Sequence, residues 1–213
     1  MTNQKLDYKK EYKDLYLPKR KPELIDVPSI NFVMVDGKGA PGGEVYQNAI
    51  AVLYGISFTI KMSKLGKNPI KGYFDYVTPP LEGLWWWDDK YGGSMPAREE
   101  WLWTSMIRLP EFVTKDVFEW ALKECQMKKP ELDYSSVRFE SFTEGLCVQM
   151  MHIGPFSEEP KTVALIEQYI EENNLINLVG GVYKHHEIYL NDPRKVNPDK
   201  IKTVLRYPVK RKD

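Results

Sequence analysis

Near its C-terminal end the chain carries Tyr183-Lys184-His185-His186-Glu187-Ile188-Tyr189-Leu190, one carboxylate set among phenols and imidazoles. In a strand, residues two apart share a face, so Glu187 travels with Tyr183, His185 and Tyr189, while His186, Ile188 and Leu190 point the other way. The side of Ile188 and Leu190 suits a core, which leaves the Glu187 side as solvent-facing or as the wall of a pocket. A second glutamate heads the run Glu82-Gly83-Leu84-Trp85-Trp86-Trp87. There Glu82, Leu84 and Trp86 share one face and Trp85 and Trp87 the other. A glutamate pressed against indole faces loses solvation, its pKa rises, and it becomes suited to acid or base work. No Ser/His/Asp signature, phosphate loop, dinucleotide fingerprint or spaced set of metal ligands is visible, so neither a metal nor a cofactor is expected. Water attack is the natural reaction for what remains. Glu82 or Glu187 would orient or deprotonate the water and Tyr189 would polarise a carbonyl, within a cage of rings that stacks on a flat electrophile. Glu82, Glu187 and Tyr189 are thus the candidate catalytic residues, and Trp85, Trp87, Trp103 and Tyr183 candidate ligand contacts. Holding a quaternary or guanidinium-like cation needs only the rings and one carboxylate. Plainer accounts stand beside these: a strand-borne glutamate is commonly a solvated face residue, and the tryptophans would serve equally as core.

These side chains need elements to hold them. Asn31 to Val35 reads as a buried strand closed by the turn-rich Asp36 to Gly43. A helix follows, with Val45, Ala49, Val52, Leu53, Ile56 and Ile60 at helical spacing and Tyr46, Ile50, Tyr54 and Phe58 making its other side apolar too. Lys71 to Val77 and Leu81 to Trp87 carry the aromatics that favour strands, separated by Pro79-Pro80. Trp101 to Leu109 is a further strand, and Thr114 to Lys128 a connecting helix capped by Thr114. The second half repeats the order. Gly145 to Ile153 is a strand, Ser157 to Pro160 starts a helix that ends near Asn173-Asn174, and Tyr183 to Leu190 and Ile201 to Val209 are the closing strands.

Local strings agree as well as the order of elements: Glu82-Gly83-Leu84-Trp85 lies where Glu187-Ile188-Tyr189-Leu190 lies, and Thr104 to Pro110 matches Thr203 to Pro208 with one gap. An internal repeat of this kind predicts an α+β fold of two pseudo-symmetric βαββ units, with antiparallel sheets around a central cleft. Residues 1–28 read as an N-terminal arm, 29–110 as the first unit, 111–140 as a connecting helix and linker, and 141–213 as the second unit. Glu82 and Glu187 would face the cleft from opposite sides.

With 213 residues, 42% of them hydrophobic, the chain can bury a sizeable core. Thirty basic residues balance thirty acidic ones with no long block of either sign, so no nucleic-acid partner is expected. The polar Met1 to Lys10 has no signal-peptide core and no apolar run approaches the roughly 20 residues that span a bilayer, so the expected location is the cytoplasm, with no membrane partner. Cys125 and Cys147 read as buried reduced thiols. Monomer and homodimer stay open.

The chain resembles the standalone members of the GyrI-like family. The resemblance rests on Tyr8-Lys9-Lys10 through Leu15-Tyr16, Lys19-Arg20-Lys21-Pro22, Asp26-Val27-Pro28, Asp36-Gly37-Lys38-Gly39, Pro80 to Trp85, Ile107 to Thr114, His152-Ile153-Gly154-Pro155-Phe156, and His186 to Leu190 with Asp192-Pro193. It implies paired βαββ units around a cleft, a glutamate at Glu187 facing aromatic or cationic ligands, and ligand contacts at His152 and Phe156. His152 has a plainer reading as a structural hydrogen-bonder. Some members of that family hydrolyse the cyclopropane of DNA-alkylating natural products. The function classes that follow are a xenobiotic-binding protein, a hydrolase of strained electrophiles, and a modulator of a protein partner such as a topoisomerase.

Overall fold

The computed structural model describes residues 5–66, 70–91, 94–180 and 183–212. After two short helices, α1 (Tyr8–Glu11) and α2 (Lys13–Tyr16), come β1 (Glu23–Lys38), α3 (Glu44–Met62), β2 (Leu81–Trp86), β3 (Leu102–Arg108) and α4 (Lys115–Lys128). The second half holds β4 (Val137–Ile153), α5 (Glu159–Glu172), β5 (Leu175–Asn177), β6 (His185–Tyr189) and β7 (Lys202–Arg211). All strand pairs are antiparallel, in the order β4-β1-β3-β2-β6-β7-β5, and β4 also pairs with β7. Six strands therefore close on themselves. The order β1-β3-β2 in the first unit matches β4-β7-β6 in the second, so the two βαββ units join at β2–β6 and at β1–β4.

The closed sheet has two faces with different coverings. Val33, Val35, Trp85, Trp103 and Ile107 pack under α3 and α4, while Val148, Met150, Leu205 and Tyr207 pack under α5 with Ile166 and Ile170. The opposite face gathers Phe32, Met34, Leu84, Met106, Cys147, Met151, Ile188 and Val204 around Tyr8, Leu15 and Tyr16 of the arm. Both cysteines are buried and free.

Several boundaries differ from the sequence reading. β1 begins at Glu23, inside the stretch assigned to the arm, because it pairs with β4 well before it meets β3. β4 likewise begins at Val137. Lys71 to Val77 is not a strand: Leu6 and Tyr76 form an isolated bridge, and Tyr73, Phe74 and Tyr76 surround Phe112 as a ring cluster. Its aromatics serve tertiary packing, which overrides their strand preference. Met1 to Gln4 of the arm and Asp213 lie outside the described residues.

Inside the arm-facing core sits a closed set of charges. His186 is buried between two carboxylates, with Nδ1 3.0 Å from Glu144 Oε2 and Nε2 3.1 Å from Glu82 Oε2. Arg206 donates to Glu144 at 3.1 Å, to Gln149 Oε1 at 3.0 Å and to the Leu15 carbonyl at 2.7 Å. Gln149 donates to the Asp14 carbonyl at 2.6 Å, so two buried side chains hold the backbone of the arm. The neighbouring Glu144 and Glu82 outweigh burial and raise His186 to about 9, and the imidazolium and guanidinium lower Glu144 to about 2.

Removing one partner from such a set leaves a buried charge unpaired. Arg206→Met should lower the unfolding free energy by about 3–5 kcal/mol, read by urea denaturation. His186 binds its proton more tightly in the folded state than at its ordinary 6.5, so its contribution is complete below that pH and is lost as pH rises through about 9. The urea midpoint should fall across that window, and the fall should be shallower in His186→Asn.

Candidate active site

The cleft lies on the α3/α5 face, lined by residues of both helices and of the β2–β6 junction; it has a volume of about 2460 Å³. Alternation sets most of the lining, with Trp86 and Leu190 added where the strands end. On β6, His185, Glu187 and Tyr189 line the cleft, and on β2 so do Leu81 and Trp85. Trp87, Tyr183 and Phe156 line it as well. Phe156 is partly exposed and meets Tyr189 edge-on at 6.1 Å.

Three predicted residues lie elsewhere. Glu82 does not face the cleft: it pairs with Ile188, is 2% exposed, and belongs to the His186 cluster on the other face. Laying Glu82 over Glu187 slipped the repeats by one residue, which in a strand exchanges the faces. The cross-strand partner of Glu187 is Gly83. Trp103 is fully buried under α3, with its ring over Gly37 and Nε1 donating to the Gly39 carbonyl at 3.2 Å. It supports the cleft from behind, since its ring meets Tyr46 edge-on at 5.1 Å. His152 is buried and bonded to Thr162 Oγ1 of α5 at 2.9 Å and to the Pro155 carbonyl at 3.2 Å, so it ties β4 to the start of α5.

Two residues that the sequence reading left out complete the site. Tyr46 comes from the first turn of α3 and stacks on Trp85 at 5.7 Å. Glu159 is the first residue of α5, and its Oε1 is buried without a hydrogen-bond partner. An acid at a helix start is ordinarily stabilised in its charged form by the helix dipole. Here burial and the neighbouring Glu187 push Glu159 up to about 9, so it holds a proton at neutral pH.

Glu187 is the centre of this arrangement. Its Oε1 lies 3.0 Å from His185 Nε2, and Tyr189, two residues on, lines the same face of the strand. Trp85 Nε1 donates to the Tyr189 hydroxyl at 2.8 Å. Burial and Glu187 hold the Tyr189 phenol well above its ordinary value; burial, with Glu187 adding to it, pushes Tyr46 up to about 12. The floor thus offers neutral phenols as donors, a protonated carboxyl, and a second carboxylate as acceptor. Rings of Trp85 and Trp101, 5.9 Å apart, continue the wall beyond them.

The ligand atoms of Glu159, His185 and Glu187 all lie within 4.8 Å of one another, a group that could hold a metal ion. A helix residue and two strand residues make up the group, so no sequence spacing announced it. A cation there would compete with the proton on Glu159.

Among the described residues, no helix is long and apolar enough to cross a membrane. A protein from Listeria innocua described as an uncharacterized conserved protein shares 56% identity, with a TM-score of 0.92 over 97% of this chain and all of that one. A structure described as a hydrolase from Listeria innocua shares 55% identity, with a TM-score of 0.89 over the same shares. The C-terminal domain of EcmrR, at 11% identity and a TM-score of 0.54 over 90% of this chain and 98% of that one, shares the fold alone. No curated protein matches the chain. The family model described as GyrI-like small molecule binding domain matches residues 20–210, and with the paired βαββ units and the ring-walled cleft now in view, the chain belongs to that family.

Proposed function

We propose that the cleft binds flat aromatic molecules, cationic ones among them, and that it hydrolyses strained electrophiles of the cyclopropane-bearing DNA-alkylator class, as a means of xenobiotic detoxification. The observation that carries this reading is the pairing of Glu159 and Glu187 on a ring-lined floor, one holding a proton that the other's charge helps to retain. A carboxyl that keeps its proton beside a second carboxyl is placed to give that proton to a substrate. The relative described as a hydrolase, at 55% identity over nearly the whole chain, supports turnover as well as binding.

In this mechanism the substrate stacks between Tyr46, Trp85 and Trp101. Glu187 accepts a proton from water as the water oxygen bonds to a cyclopropane carbon. The C–C bond of the ring breaks, and its electron pair moves through the conjugated system onto the carbonyl oxygen, which takes the proton held by Glu159. The net change is addition of one water, and a proton passing from Glu187 back to Glu159 resets the pair. Tyr46 and Tyr189 stay neutral throughout.

Incubating the protein with a cyclopropane-bearing DNA alkylator should give a product heavier by one water. Glu187→Gln should lower kcat by about 10²–10⁴-fold, the usual contribution of a positioned general base. Ligand unchanged in mass, with quenched tryptophan fluorescence, would replace the hydrolase reading with binding alone. Because the acid must be protonated, the rate should fall as pH rises through about 9, and Glu159→Gln should remove that limb along with most of the activity.

A further inference from the structure

The Trp85–Tyr189 hydrogen bond crosses a place in the cleft floor where no side chain stands. Gly83 pairs with Glu187 across the β2–β6 junction and lies on the face that carries Trp85 and Tyr189. Its φ is not positive, so the backbone conformation does not call for glycine here. The requirement is space. A Cβ at this position would lie 2.8 Å from Trp85 Nε1 and 3.1 Å from the Tyr189 hydroxyl, the two atoms joined by the 2.8 Å hydrogen bond. The indole is flanked by Tyr46 and Trp101 and cannot yield without disturbing them.

A phenol has one proton to give, and an indole N–H can only donate. With the indole donating to its oxygen, Tyr189 keeps its own proton to give, and Glu187 lines the cleft on the same face of β6. His185 bonds the same carboxylate from its own strand at 3.0 Å. We propose that Gly83 is a positioning residue of the site: its missing side chain is the notch in which Trp85 meets Tyr189, and this contact turns the phenol proton onto Glu187 and fixes that carboxylate toward the cleft. The kinetic part rests on the hydrolase reading; the structural part does not.

Gly83→Ala should move the indole N–H resonance of Trp85, assigned through Trp85→Phe, toward that of an unbonded indole. With a cyclopropane-bearing alkylator it should lower kcat about 10²-fold, the scale on which small misplacements act, with a smaller rise in KM as the shifted indole stacks less well on the substrate. Tyr189→Phe removes the acceptor without adding bulk, and should cause the same resonance change and the same split between kcat and KM. In a Trp85→Phe background, Gly83→Ala should cost less than about a further twofold, since the indole it displaces is gone. An unchanged Trp85 resonance in either Gly83→Ala or Tyr189→Phe would overturn the proposal, as would full additivity of the Gly83 and Trp85 substitutions in kcat. If the wild-type protein leaves the alkylator intact, the hydrolase reading fails separately and the indole resonance decides the role of Gly83.

Discussion

His186 and Glu187 are neighbours in sequence and lie on opposite faces of one strand, and the buried charge set around His186 is the constraint on which the site depends. Its members come from β2 (Glu82), β4 (Glu144), β6 (His186) and β7 (Arg206). Each is ionic or hydrogen-bonded to another member, and a set of this kind tolerates only one register of the strands that bring it together. Moving β6 by one residue would expose His186 to the cleft and drive Glu187 into the arm-facing core. The placement of the cleft carboxylate is thus specified from behind, by charges buried on the arm-facing side.

The cleft face uses low dielectric differently. Behind the strand, opposite charges are matched. In front of it, Glu159 and Glu187 are like groups brought together with ring faces and phenols around them, and the outcome is a retained proton. The same physical effect, loss of water, yields an ion cluster where partners are complementary and a retained proton where they are alike. Both arrangements rest on β6, whose alternate side chains supply one to each.

Most of the architecture was legible because period and order are local properties. Strand alternation in residues 183 to 190 placed Glu187 with His185 and Tyr189, and the repeated order of elements gave the paired βαββ units that the closed strand order displays. What failed were properties that depend on two segments at once. Glu82 looked equivalent to Glu187 because short strings align within one residue, and one residue is the difference between the two faces of a strand. Glu159 read as a helix-start signal, and Tyr46 as one ring on a covered helix; only the approach of α3 and α5 to the β2–β6 junction turns them into site residues. Lys71 to Val77 had the composition of a strand and became a ring cluster, since the edges of its neighbouring strands were already paired.

The closure of β4 onto β7 bears on how the protein meets molecules of different size. An open sheet can flex at its free edges, whereas a cyclic ladder of hydrogen bonds resists splaying at any single strand. The cleft floor is therefore its stiff part, and the compliance lies in the roof, where α3 and α5 are anchored through separate hydrophobic clusters. Whatever fits the cleft meets a floor whose β6 side chains are held in one geometry by the closed ladder.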